Sequence, residues 1–500
     1  MTALQKSVEN GAVIIKKHDY ARVISHYDAD GITSAGIICN ALLRRGMRFH
    51  ATIVSKLERS FIRGLNEDLI IICDMGTAQL ELLYEYLKEK DVVIIDHHAP
   101  IPLTSAHINL FNASSSSSLS SPVLINPCCT GTSTGNGAAD ANEEQHELTN
   151  ERGSTICAAG LSYLVARCMS DDETGKGNID LAGLAVAGTL GDKLELNTGL
   201  NRMILDEALQ EGVISVKTGL KLGGGKIRDL IFFATDPYIP LAGKIECVDA
   251  FLKKLDIERD KNSSDLTIEE EKRLTTALFS LLRESQPDIS DEVLVGTTYI
   301  FHSEVIRDGM TFMKVIDACG RLGKSGIGIG LCLREDRLVE EAGAFYTSIQ
   351  NKLVSELTRI ESADGEDAIK ERENIFYFHV QERGVTGILA GIVADYLCTD
   401  KPVIVLNRMD RTENGKKPET KVSARCNKKL LLPPVSSRID LAKALEKASR
   451  EVGSFGGGHP IAAGASIPEK TEEKFIAALD MIIGKQKIGK QKTFLENEKK

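Results

Sequence analysis

The sequence predicts an α/β protein: an N-terminal domain on a doubly wound, mostly parallel sheet, followed by a second, C-terminal α/β domain. Three observations lead there. Over the first 110 residues, short β-branched runs alternate with stretches of helical periodicity, the pattern of parallel strands joined by covering helices. The same alternation returns after residue 375. A chain of 500 residues with 42% hydrophobic content can also bury more than one core.

In chain order, strands are predicted over 21–25, 49–54, 69–73 and 92–95, with helices over 32–45 and 78–88 between them. Residues 113–150 bring a serine run, then Gly, Thr, Asn and acidic residues without periodicity. Such a composition buries too little surface to order itself, and it reads as a disordered surface insertion. Helical patterns over 155–168 and 179–190 close a first domain, 1–215. Residues 216–370 read as a connecting region with a small core of its own, holding a strand at 292–301 and helices at 269–284 and 309–319. The second domain, 371–484, contains the strands IFYFHV, PVIVLN and KVSARC, helices over 387–397 and 439–448, and the segment GSFGGGHPIAAGASI. The Lys-rich end, 485–500, reads as a frayed tail.

Composition narrows the function classes. No apolar run reaches the ~18 residues of a membrane span, and MTALQKSVENGAVIIKK lacks the uninterrupted apolar stretch of a signal peptide. A cytoplasmic protein without membrane partners is expected. The eleven cysteines are odd in number and show no CxxC spacing, so they read as reduced thiols. A net charge of −10 argues against broad coating of nucleic acid but leaves room for a local basic groove. Trp is absent, so base recognition cannot rest on many stacking platforms.

Three predicted strands end in metal-binding side chains. The first runs into His26-Tyr27-Asp28-Ala29-Asp30-Gly31, the third into Asp74, the fourth into Asp96-His97-His98. In an open α/β sheet, ligands bind beyond the carboxyl ends of the strands, so these groups are expected to converge. A fourth acid, Asp192 in GTLGD, follows a predicted helix. Asp28, Asp30, Asp74 and Asp192 brought together without cations would repel one another until some protonate or the site opens. Carboxylates mixed with imidazole suit Mn²⁺, Mg²⁺ or Zn²⁺, and two such ions about 3.5–4 Å apart form a clamp for in-line phosphoryl displacement. Taken singly, each acid also reads as a helix cap or a surface carboxylate; it is their joint placement at strand ends that points to a metal cluster. In the C-terminal domain, Gly456-Gly457-Gly458-His459 offers backbone N–H groups clear of side chains, a cradle for a phosphate oxygen. A glycine triplet alone reads as a turn, as at 223–225. His459 and the nearby Arg425, whose guanidinium can fork onto a phosphate, favour the cradle.

On these residues the chain resembles a known family. SHYDADGITSAGI, ICDMG, VVIIDHHAP and GTLGD look like the four successive motifs of the DHH phosphoesterases. GVTGILAGIVADYL, KVSARC and FGGGHPIAAGASI are similar to the associated substrate-binding domain, and IDACGRLGKSGIGIGLCL resembles a stretch of archaeal RecJ-like proteins. The resemblance implies that His26, Asp28, Asp30, Asp74, His97 and Asp192 hold two divalent ions, Mn²⁺ first and Mg²⁺ as the alternative, with Asp74 as the bridge. It makes His98 face the scissile phosphate and gives Asp96 the task of orienting a ligand imidazole. Arg425, Gly456, Gly457, Gly458 and His459 would grip the substrate. The implied activity is a single-strand-specific exonuclease acting on DNA, with RNA as an alternative, in repair or replication. Two rivals share parts of this pattern: a hydrolase of short oligonucleotides or small phosphoesters, and a replisome scaffold beside GINS.

Overall fold

The runs read as strands in the first domain are, in a computed structural model, β1 (Tyr20–His26), β2 (Arg48–Val54), β3 (Leu69–Cys73) and β4 (Asp91–Ile95). The structure describes residues 2–98, 122–129, 156–172, 176–286, 289–362, 368–409, 418–431 and 439–497. A fifth strand, β5 (Val123–Ile125), completes one parallel sheet in the order β2-β1-β3-β4-β5. Every residue of β3 is buried, as a strand covered on both faces requires. Alternate side chains enter two cores. Ile24, Ile70, Ile72, Val92 and Ile94 pack with the helix Leu80–Leu87. On the other face, Val23, Ile71, Val93 and Ile95 pack with α1 (Ala3–Ile15), α2 (Ala29–Arg44), α3 (Ala158–Met169) and α4 (Ala182–Gly191).

Two features depart from the sequence expectation here. Helix α1, capped by the Thr2 hydroxyl accepting from the Gln5 N–H, precedes the first predicted element. Strand β5 lies inside the stretch expected to be an insertion. Ile125 and Asn126 are fully buried, and α1 packs close enough that a Cβ on its Gly11 would lie 2.8 Å from Ile125. Three apolar residues suffice for an edge strand when a helix covers them, so residues 122–129 are structural. The remainder of 113–150 lies outside the described residues.

The chain forms two compact units, residues 1–223 with 296–346 and residues 224–295 with 347–500. The expected connecting region of 216–370 is therefore divided between them, and the first domain does not end at 215. β6 (Ile214–Leu220) pairs with β7 (Val295–Phe301). Helices α5 (Gly309–Arg321) and α6 (Ser325–Cys332) bury Phe312, Val315, Ile316, Cys319 and Cys332 in the core shared by α2 and α4. An amphipathic helix has no use for a core of its own when a larger apolar face is within reach.

An ionic network around the buried Glu304 fastens this returning segment. Arg334 donates to Asp180 and, at 3.2 Å, to Glu304, while Arg44 pairs with Asp180 at 2.7 Å. Burial pushes the Glu304 carboxyl up to about 7, against the opposing pull of Arg334. The folded-state value lies above the unfolded carboxylate value of ~4.3, so this group's contribution to stability declines as pH rises from about 4.5 to about 7 and is constant above that. Glu304→Gln cannot ionise. Its thermal-midpoint advantage over the wild type should widen between pH 5 and pH 8, by at most about 3 kcal/mol of stability. A gap that stays constant over that range would mean that the folded state does not raise the Glu304 pKa above its unfolded value.

In the second unit, six strands follow the order β12-β13-β11-β10-β9-β8: β8 (Lys370–Glu371), β9 (Phe376–His379), β10 (Val403–Met409), β11 (Glu419–Arg425), β12 (Phe455–His459) and β13 (Ala462–Pro468). Only the β9–β10 pairing is parallel. One face, carrying Ile404, Leu406, Val422, Ala424, Ala463 and Ile467, is covered by α8 (Leu441–Glu451) and α9 (Glu472–Asn497), while α7 (Thr386–Ile392) packs on β10 and β11. Two sequence expectations change. Gly456, Gly457 and Gly458 lie in the edge strand β12 and not in a loop. The expected frayed tail begins as helix: α9 continues through it to Asn497, and Gln486 exchanges two hydrogen bonds of 3.1 Å with the Asp440 backbone.

Candidate metal centre

The parallel sheet sets the site. β1, β3 and β4 are neighbours, and the residues at their carboxyl ends meet. β1 ends at His26, and Asp28 then caps α2, its Oδ1 accepting from the Gly31 N–H at 3.0 Å. β3 runs into Asp74, which adopts a left-handed backbone with φ 57° while its N–H donates to the Ile95 carbonyl at 2.8 Å. β4 runs into Asp96, His97 and His98. Asp192 is the C-cap of α4.

Three overlapping groups that could hold a metal ion result, His26-Asp28-Asp74, Asp74-His97-His98 and Asp30-His97-Asp192, and Asp74 belongs to the first two. His26 Nδ1 lies 2.8 Å from Asp28 Oδ2 and 3.4 Å from Asp74 Oδ2. His97 Nε2 lies 3.4 Å from Asp74 Oδ1, 3.3 Å from Asp192 Oδ2 and 3.8 Å from Asp30 Oδ2. The two oxygens of Asp74 thus face different imidazoles. Asp30 is buried and held by the first turn of α3, its two oxygens accepting from the Ala158 and Ala159 N–H groups at 2.8 Å each. A helix N-terminus suits a carboxylate because its N–H groups lack partners within the helix.

The electrostatics are those of a cation site. Burial, then the charges of Asp28 and Asp30, push the Asp74 carboxyl well above its usual range; burial and Asp30 do the same to Asp192. Burial opposes charge on His26, but hydrogen bonds to Asp28 and Asp74 push it up to about 11, and Asp28 is held low in return. A metal ion at His26 would displace that proton, since only neutral imidazole ligates. Asp192 Oδ2 is buried and has no hydrogen-bond partner among the described residues. An orphaned carboxylate oxygen aimed into a group of acids and imidazoles is what a divalent cation satisfies, so these residues fit two such ions.

Asp96 stands behind the ligands. It accepts from the Thr77 N–H at 2.8 Å, the His97 N–H at 2.8 Å, and His98 through both the backbone N–H at 3.2 Å and ring Nδ1 at 2.7 Å. The imidazole it orients is therefore that of His98. Asn126 escaped the sequence reading because it sits in the segment taken for an insertion. Its Nδ2 donates to the His98 carbonyl at 3.0 Å and to the Thr77 hydroxyl at 2.9 Å, tying β5 to the DHH turn. The short run of three consecutive apolar residues just before it, Val123-Leu124-Ile125, is the available signal.

Arg425 and His459 belong to the second unit and gather there. Both stand opposite Ala462 in the sheet, and a Cβ on Gly387 of α7 would lie 3.3 Å from the Arg425 guanidinium.

Comparison with known proteins agrees with this layout. The model of the DHH family N-terminal domain matches residues 21–189 and that of the DHHA1 domain matches residues 373–485. An uncharacterized protein from Methanocaldococcus jannaschii is 30% identical over 484 residues, covering 95% of each chain. The chain belongs to the DHH family. Among solved structures, this DHH protein is similar to CDC45 from Entamoeba histolytica, with TM-score 0.59, 12% identity and coverage of 96% of this chain and 99% of that one. It is also similar to RecJ in complex with Mn²⁺ from Thermus thermophilus, with TM-score 0.54, 18% identity and 97% of this chain covered; it spans only 55% of that RecJ. An exonuclease RecJ bound to manganese gives TM-score 0.53 at 17% identity, covering 97% and 95%. These likenesses are of fold. Among the described residues of this DHH protein, no helix is long and apolar enough to cross a membrane.

Proposed function

We propose that this DHH-family phosphoesterase is a RecJ-like exonuclease that hydrolyses single-stranded DNA, with RNA as an alternative, from an end to mononucleotides during repair or replication. The observation that carries the reading is the complete His–Asp set with the two Asp74 oxygens directed at separate imidazoles. His26, Asp28 and Asp74 would hold one divalent ion and Asp30, His97, Asp192 and Asp74 a second, Mn²⁺ in preference to Mg²⁺. Ions bound there supply Lewis acidity toward the phosphate and a nucleophile at neutral pH. His98 has its Nδ1 committed to Asp96, so it would meet a phosphate oxygen through Nε2. Burial opposes its charge, but Asp96 raises its pKa and favours the cationic ring that an anionic phosphate prefers. End-labelled single-stranded DNA and RNA incubated with Mn²⁺, with products resolved by length, test the reading. Mononucleotides released from one end support it. Cleavage confined to the shortest oligonucleotides or small diesters would favour the smaller-substrate hydrolase.

Arg425 and the Gly456–His459 strand would contribute to substrate binding and not to bond cleavage. An interaction equal in ground and transition states changes KM with little effect on kcat. Arg425→Ala should therefore raise KM for a single strand by about tenfold to a hundredfold, the value of one charge-assisted contact of ~1.5–3 kcal/mol, and leave a small chromogenic diester nearly unaffected. Equal depression of kcat for both substrates would put Arg425 in the chemical centre.

The fold likeness to CDC45 supports a second reading, a scaffold beside GINS. Retention of every ligand favours the enzyme. No hydrolysis of any of these substrates in Mn²⁺, together with a stable GINS complex on gel filtration, would reverse that preference.

A further inference from the structure

The face of the second unit's sheet opposite α8 carries, at its exposed β12 edge, an aromatic ring that the phosphate grip does not use. Directly opposed residues of antiparallel strands point to the same face. The register therefore aligns three rows across β12, β13 and β11: His459, Ala462, Arg425; Gly457, Gly464, Ser423; and Phe455, Ser466, Lys421. The intervening residues Val422, Ala424 and Ala463 belong to the core under α8, so these three rows lie on the opposite face, which α7 covers at β11, where Ser423 is buried, and which is exposed at Phe455 and His459 of β12. Phe455 is 88% exposed, Lys421 and His459 are exposed, and a Cβ at Gly457 would meet nothing within 4 Å. The result is a floor of Gly, Ala and Ser with a phenyl ring at one end and a guanidinium and imidazole at the other. Phe455 and His459 are four residues apart on one strand, about 13 Å, which spans a single nucleotide.

The chemistry selects among occupants. A lone ring beside three basic side chains is too small for a protein-docking patch, whereas a nucleotide needs one π-surface for its base and one cationic group for its phosphate. At Gly457 and Gly464 the floor has no side chain, which lets a flat group approach the backbone. We propose that Phe455 is the base-contact residue of this protein: a nucleobase stacks on its ring above Gly457 and Gly464, while Arg425 and His459 hold the neighbouring phosphate. Stacking accepts any base, so the contact selects nucleic acid over base-free phosphates without reading sequence. The inference rests on the reading of the protein as a nucleic-acid phosphodiesterase.

The test uses the full chain with Asp74→Asn in every arm to prevent cleavage. Fluorescence anisotropy follows binding of a labelled oligothymidylate and of an abasic oligonucleotide of equal length. Phe455→Ala should weaken oligothymidylate binding roughly fivefold to a hundredfold and leave abasic binding unchanged, with Phe455→Tyr restoring it and Phe455→Leu restoring only part. Folding is not at stake for so exposed a side chain. Unchanged oligothymidylate binding by Phe455→Ala, equal loss for both probes, or full affinity in Phe455→Leu would each overturn the stacking contact while leaving the phosphodiesterase reading intact. Binding of neither probe before any change at Phe455 would overturn both.

Discussion

Asp74→Asn should abolish hydrolysis, by at least ~10³-fold or about 4 kcal/mol, and at the same time raise the thermal midpoint of the metal-free protein. Both effects come from one placement. Each Asp74 oxygen faces a different imidazole, so removing the carboxylate would weaken both proposed ion sites together, whereas loss of Asp28 or Asp192 would touch one. The same carboxyl is buried among like charges, and a neutral amide relieves that repulsion. Asn is the right replacement because it tolerates the left-handed backbone at φ 57°, where Ala would add roughly 1–2 kcal/mol of strain. Activity against Mn²⁺ concentration, calorimetric ion stoichiometry and thermal melts in chelator check the three parts. Retention of a tenth of the wild-type rate would remove Asp74 from its central role; comparable losses at all six ligand positions would keep the cluster and remove only the bridge.

Gly320→Ala should cost at least about 3 kcal/mol of stability and about a hundredfold in activity, although residue 320 is no ligand. A Cβ there would lie 1.6 Å from the Tyr27 carbonyl oxygen, a backbone atom that cannot swing aside. Either α5 withdraws from the core or the turn between His26 and Asp28 shifts, and a shift of that size misplaces two ligands. Six residues on, Gly326 supplies the control. It lies in α6, a Cβ there meets nothing within 4 Å, and Ala should be neutral or stabilising by up to about 1 kcal/mol. Melting curves and Mn²⁺ titrations of the two variants separate the cases. If both behaved alike, contact with the Tyr27 carbonyl would not govern the ligand turn.

Gly320 also lies beyond what local sequence can reveal. Strands β1 to β4 were legible because each is a short β-branched run ending at a polar turn, and a parallel sheet gathers its carboxyl ends whatever the details of packing. His26, Asp28, Asp30, Asp74 and His97 were therefore predictable as one cluster, whereas Asp192 follows a helix and joined the expectation through the family resemblance. Glycines such as Gly320 carry no local signature; their meaning is a distance to a carbonyl almost three hundred residues away in sequence. The return of 296–346 to the first unit was hidden for the same reason, since an amphipathic helix announces that it will be buried but not against which surface. β5 and Asn126 were lost because three apolar residues cannot outweigh the polar composition around them. Local propensity and strand-end chemistry thus determined the fold class and the convergence of the His and Asp side chains at the strand ends from the sequence alone. Tertiary structure decided which segment seats the ligand turn, which imidazole Asp96 orients and which face of β12 presents Phe455, because each depends on long-range register and close approach that no local pattern encodes.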